Sequence, residues 1–117
     1  MAREKNFENQ IKKYLEEKGA WFVKYFANSY TRSGIPDILV CLKGKFIAIE
    51  VKAETGKPSE LQEYHLKQIN QAGGFGILLY PSGFEKFKKE IEFYLRTDLF
   101  IKNNCDGYIK FKRGWYE

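Results

Sequence analysis

Two apolar runs separated by only two residues constrain this chain more than anything else in it. Ile38-Leu39-Val40-Cys41-Leu42 and Lys45-Phe46-Ile47-Ala48-Ile49-Glu50-Val51 flank Lys43-Gly44. Runs this short and this rich in β-branched residues read as strands, and a two-residue connection reads as a tight hairpin turn. Such a turn fixes the register. Leu42 then faces Lys45, and counting back along both strands sets Asp37 opposite Glu50. Side chains alternate faces along a strand, so Asp37, Glu50 and Lys52 share one face. Directly opposed residues have Cβ atoms about 4.5–5.5 Å apart, and like charges there repel. Burying those charges beside strands this apolar is costly unless something compensates them. A divalent cation that prefers oxygen ligands, such as Mg²⁺, would do so at Asp37 and Glu50.

The opposite face of the hairpin reads Ile38, Val40, Leu42, Ile47, Ile49 and Val51, while Leu39, Cys41, Phe46 and Ala48 share the charged face. Both faces are largely apolar, which predicts central strands covered by helices on both sides. Upstream, Phe7, Ile11, Tyr14 and Leu15 form an apolar stripe that predicts a helix over residues 4–18, stopped by Gly19. Residues 20–26 are aromatic and β-branched and read as a strand; residues 28–34 form a polar loop. Pro58-Ser59 opens a second helix to about residue 72, with Ser59 and Gln62 in capping-box positions. A fourth strand is expected over residues 75–80. Phe84, Phe87, Ile91 and Leu95 then recur at helical spacing. The order αβββαβα describes an α/β fold with a mixed central sheet flanked by helices. The tail, residues 99–117, is unassigned, although its Tyr108–Lys112 segment alternates as an edge strand would.

A chain of 117 residues makes a single domain, with little core to spare. Its net charge of +5 and pI of about 9.1 favour a polyanionic partner. No segment is apolar enough to suggest a membrane partner or a targeting leader. Cys41 and Cys105 lack metal-site spacing, and the chain reads as cytoplasmic with reduced thiols. No small-molecule cofactor is expected. His65 is the lone histidine, a poor zinc signal, and is assigned no role.

Glu8 in the first helix, Gly34-Ile35-Pro36-Asp37, Glu50-Val51-Lys52, and Gln62 opening the next helix together resemble the PD-(D/E)XK nuclease superfamily. Within it the chain looks most like the small stand-alone VRR-NUC domains of phages and bacteria, and it is more distantly similar to archaeal Holliday-junction resolvases. The likeness covers about residues 4–95 and implies a restriction-endonuclease-like core. It implies that Mg²⁺ or Mn²⁺ is bound by Asp37, Glu50 and the Val51 carbonyl. It implies that Lys52 positions or deprotonates the attacking water. Glu8 matches the superfamily's helix-borne acid and is a further candidate ligand, with Glu4 competing for that role. Gln62 is expected to bond a water, a ligand carboxylate or a phosphate.

Each residue also has an ordinary reading. Asp37 and Glu50 could be exposed strand-end charges, and Lys52 a solvated lysine paired with Glu50 or Glu54. Glu8 could be a first-turn acid favoured by the helix dipole, and Gln62 a cap. Arg32 and Ser33 in the loop before the motif are expected on phosphates, and Tyr64 and Lys67 on DNA, against readings as a polar loop and a solvated helix face. Lys110, Lys112 and Arg113, interleaved with Tyr108, Phe111, Trp115 and Tyr116, suit nucleic acid or a second subunit. The expected protein is a metal-dependent endodeoxyribonuclease, structure-selective for branched or Holliday-junction DNA. It would work as a homodimer in the cytoplasm of a bacterial or phage-infected cell. The alternative is a catalytically silent DNA-binding or adaptor module on the same fold.

Overall fold

The computed structural model describes residues 2–28, 30–100 and 107–114. In chain order they form α1 (Ala2–Glu17), β1 (Trp21–Lys24), β2 (Ile38–Leu42), β3 (Lys45–Val51), α2 (Glu60–Gln71), β4 (Phe75–Leu79), a 3₁₀ turn (Pro81–Gly83), α3 (Phe84–Thr97) and β5 (Ile109–Phe111). The strands make one five-stranded sheet in the order β1-β2-β3-β4-β5. The β1–β2 and β2–β3 pairs are antiparallel, whereas β3–β4 and β4–β5 are parallel. This mixed α/β architecture is compatible with a restriction-endonuclease-like core.

The hairpin register is the one set by the two-residue turn: Leu42 pairs with Lys45, Cys41 with Phe46 and Ile38 with Ile49. Lys43 and Gly44 both adopt positive φ, 49° and 79°. That is the signature of a type I′ turn, whose twist matches the flanking strands. A lysine in this conformation costs on the order of 1 kcal/mol. Helix α3 holds it there: Lys43 Nζ donates to the Leu95 carbonyl at 2.6 Å and pairs with Asp98 at 3.0 Å, while Tyr94 donates to the Lys43 carbonyl at 2.9 Å.

One face of the sheet carries α1 and α3. Phe7, Ile11, Tyr14 and Leu15 meet Phe87, Ile91 and Tyr94 over Ile38, Val40, Leu42, Ile47, Ile49, Val51, Ile77 and Leu79. The other face carries α2 alone, packed over β4 and β3. Helices thus lie on both faces, as the hairpin predicts, but α2 leaves part of its own face open. Trp21, Cys41 and Phe46 are register partners in one row across β1, β2 and β3, and all three are exposed. A single helix cannot span five strands, and α2 stays near β4 because β4 lets it come close. A Cβ at Gly76 would lie 2.5 Å from the Leu66 carbonyl oxygen, and Asn70 Nδ2 donates to the Gly76 carbonyl at 3.1 Å.

Residues 107–114 of the tail join the core. β5 forms the edge strand beside β4, with Ile109 and Phe111 in the main cluster and Tyr108 packed with Leu66, Leu78 and Tyr80. Gly83 sits so close to this strand that an added Cβ would fall 2.2 Å from the Phe111 backbone. Cys105, Trp115 and Tyr116 lie outside the described residues. Among the described residues, no helix is long and apolar enough to cross a membrane.

Candidate active site

The site lies where β1, β2 and β3 end together. Asp37 follows a left-handed Gly34, φ +79°, whose missing side chain leaves room for α2: a Cβ there would stand 2.6 Å from Leu61 Cγ. The Asp37 backbone is pinned by Tyr25 N–H, which donates to its carbonyl at 2.8 Å. Its side chain is pinned by Val51 N–H, which donates to Oδ2 at 2.8 Å. Asp37 Oδ1 lies 3.4 Å from Lys24 Nζ instead.

Glu50 is the interior acid of the site, only 2% exposed. Its Oε2 accepts from Gln62 Nε2 at 3.0 Å and stands 3.7 Å from Lys52 Nζ. Its Oε1 is buried and has no hydrogen-bond partner. Burial, reinforced by the charge of Asp37 and opposed by Lys52, pushes the Glu50 carboxyl up to about 8. Asp37 is near enough to accept a hydrogen bond from Glu50 when Glu50 is protonated. An unsatisfied buried carboxylate oxygen beside a second carboxylate is expensive unless a proton or a cation joins them.

Gln62 both caps α2 and bonds Glu50. Ser59 Oγ accepts from Gln62 N–H at 3.1 Å, and Gln62 Oε1 accepts from Ser59 N–H at 2.9 Å, a complete capping box. With its oxygen committed to the helix start, the amide nitrogen faces Glu50.

Glu8 occupies a different place from the Asp37–Glu50 pair. It is 8% exposed and lies on α1, on the opposite side of the sheet end from α2. Lys24 Nζ donates to its Oε1 at 2.8 Å, and Lys12 pairs with its Oε2 at 3.0 Å. Burial pushes the Glu8 carboxyl up, but the hydrogen bonds and charges of the two lysines outweigh it and hold it below its ordinary value. The same Lys24 ammonium is 3.4 Å from Asp37 Oδ1. Burial works against the charged form of Lys24, yet Glu8 and Asp37 raise its pKa overall. A cavity of about 210 Å³ opens beside them, lined by Glu4, Lys5, Glu8, Lys12, Lys24 and Phe26. Glu4 is thus on the rim, and its charge reaches Glu50. Among the described residues, no three His, Cys, Asp or Glu side chains converge tightly enough to hold an ion by themselves. A cation here would have Asp37, Glu50 and backbone or water oxygens, an all-oxygen set that suits Mg²⁺ or Mn²⁺.

Lys24 is the site residue that the sequence reading missed. Its signal was present: in β1 it shares a face with Phe22 and pairs with Ile38, on the core-facing side. A lysine on the apolar side of a strand needs a partner.

The remaining candidates sit around this cluster. Arg32 and Ser33 are exposed on the loop ahead of Asp37, where Tyr25 Oη donates to the Arg32 carbonyl at 2.7 Å. Tyr64 is half-exposed on α2 and stacks edge-on with His65. The Lys67 stem packs near Gly107, away from Gln62. Neither Tyr64 nor Lys67 shares the Gln62 face of the helix.

A family model, archaeal Holliday junction resolvase (Hjc), matches residues 1–75, a span that ends at the first residue of β4 and holds Glu8, Lys24, Asp37, Glu50, Lys52 and Gln62. The chain belongs to the archaeal Holliday junction resolvase family. No curated protein and no solved structure is significantly similar to it. Hjc-type resolvases are nucleases of the PD-(D/E)XK kind, so the superfamily read from the motifs stands. Of the two branches named there, the match is to the resolvases, the one judged more distant, and not to VRR-NUC domains.

Proposed function

We propose that this chain is a divalent-metal-dependent endonuclease that hydrolyses phosphodiester bonds in branched DNA, with the four-way junction as its preferred substrate. The observation that carries this reading is the unpartnered, buried Glu50 Oε1 next to Asp37 at the mouth of the hairpin. Asp37, Glu50 and the Val51 carbonyl would hold Mg²⁺ or Mn²⁺. When bound, such an ion supplies an activated water and stabilises charge on the phosphate. Val51 N–H and Gln62 Nε2 each engage one oxygen of an acid and so hold both carboxyl groups in place. Lys52 offsets charge that develops on the phosphate and orients the water. Arg32, Ser33, Tyr64 and Lys67 contact the DNA, whose phosphates the net charge of +5 attracts. The superfamily's chemistry leaves a 5′-phosphate and a 3′-hydroxyl. The likeness to VRR-NUC domains rests on motif order alone. We place the activity in the cytoplasm of a bacterial or phage-infected cell.

Two strands must be cut to resolve a junction, and a two-fold dimer presents two sites in opposed orientations. The exposed row Trp21, Cys41 and Phe46 offers an apolar surface for that pairing.

The test is incubation with linear, flapped, single-stranded and four-way DNA, with and without Mn²⁺. Paired cuts in the four-way substrate are expected only with the ion. Asp37→Asn and Lys52→Ala should each lower the rate by about 10²-fold or more with the fold intact. Salt-sensitive binding without cleavage on any substrate would instead assign the chain to the silent DNA-binding modules.

A further inference from the structure

Helix α1 contributes an acid to the site, but that acid is already engaged. Both Glu8 oxygens accept from ammonium groups, Oε1 from Lys24 at 2.8 Å and Oε2 from Lys12 at 3.0 Å. Lys24 is shared: its Nζ also lies 3.4 Å from Asp37 Oδ1, the oxygen that Val51 N–H leaves open. The three groups form a chain, Glu8–Lys24–Asp37, that ends on one of the two carboxylates able to bind a cation. Lys24 is held in this chain by its two carboxylate partners rather than by confinement, since it borders the cavity of about 210 Å³. Its side chain is 21% exposed, and its ammonium lies 5.9 Å from the centre of the Phe26 ring.

An ammonium and a divalent cation cannot both sit against Asp37 Oδ1 without strong repulsion, which falls off only as the inverse of distance. The position of Lys24 therefore controls how well the acid pair can take a cation, and Glu8 controls the position of Lys24. We propose that Lys24 is a resident counter-ion that lowers the divalent-metal affinity of Asp37 and Glu50. Glu8 is a positioning residue that draws Lys24 toward α1; it is not a metal ligand. This rests on the metal-dependent reading of the site above. Two groups that never touch the ion thus tune the affinity of the acids that do, and Glu8 matters only through Lys24.

A double-mutant cycle separates a keeper of Lys24 from a ligand. Mn²⁺ affinity is measured calorimetrically without DNA for the wild type, Lys24→Met, Glu8→Gln and the double variant. Circular dichroism melts establish that each is folded. Lys24→Gln takes the place of Lys24→Met if the latter melts low. Removing the Lys24 charge should tighten Mn²⁺ about tenfold. Glu8→Gln alone releases Lys24 onto Asp37 and should loosen Mn²⁺ by about threefold or more. In the Lys24→Met background, Glu8→Gln should change affinity less than about twofold. Lys24→Arg, which keeps the charge, should stay near the wild type. A tenfold loss from Glu8→Gln in the Lys24→Met background would make Glu8 a ligand and overturn the proposal. Unchanged affinity in the Lys24→Met protein would overturn it too. A wild type that binds no Mn²⁺ would remove the metal site itself, and this inference with it.

Discussion

Glu50 carries the sharpest single-residue consequence. Its carboxyl is raised from 4.5 to about 8 by burial and by Asp37, so near neutrality the metal-free protein holds a proton there. The folded state binds that proton more tightly than the unfolded chain does. The stability from this group is therefore full below about pH 4.5 and is lost as pH rises through about 8. Thermal melts of the metal-free protein at several pH values are expected to show this decline. Glu50→Gln, which cannot ionise, should show a flatter profile and melt higher at alkaline pH, by a margin of about 1–3 kcal/mol. Wild-type and variant curves of the same shape would remove the proton from Glu50. Cation binding needs the ionised form, so Mn²⁺ should protect against melting more at pH 8 than at pH 6. Part of this site was legible in the chain. Asp37 and Glu50 follow from a two-residue turn and strict alternation. Lys24 is legible only as a lysine on the apolar side of a strand; its partners are not, because they come from a helix earlier in the sequence and a loop later in it. The depth of Glu50 was equally hidden: sequence gave its face, while burial depends on how closely α2 approaches.

That approach is a matter of elements. Gly76 admits the backbone of α2 at Leu66, and the same helix brings Gln62 to Glu50. Gly76→Ala should force the helix outward, at a cost of about 1–3 kcal/mol, and lower cleavage although it touches no site residue. Ser59→Ala removes one arm of the capping box and should cost about 1 kcal/mol of stability. Urea titrations read both costs, and junction-cleavage rates read the effect on the site. Full activity in Gly76→Ala would mean that Gln62 does not depend on close packing. The elements themselves were readable where local signals agreed. Ser59 and Gln62 marked the start of α2, positive φ suited Gly44, and the aromatic spacing marked α3. Partial cover of the sheet was not readable, because an apolar face looks the same in sequence whether a helix lies on it or not. Phe46 is 46% exposed although it belongs to a strand that is otherwise almost wholly interior.

At the scale of the whole molecule, the uncovered part of the sheet makes the prediction. If two copies meet there, Trp21→Asp should give monomers by light scattering at concentrations where the wild type is dimeric. The monomer should still bind Mn²⁺ with wild-type affinity, since the row lies away from the acids, but it should nick junctions rather than cut both strands together. A dimeric Trp21→Asp protein would move the contact elsewhere. Junction binding should also weaken by roughly 10³-fold or more between 50 and 200 mM salt if six or more phosphates are contacted.

One amide serves two neighbours: Gln62 closes the first turn of α2 with its oxygen and steadies Glu50 with its nitrogen. Fraying of that turn would swing the group away, leaving the acid unsupported even with every other part in place. Readiness to react is thus tied to the persistence of a single turn, and amide exchange near residue 62 should track activity across variants.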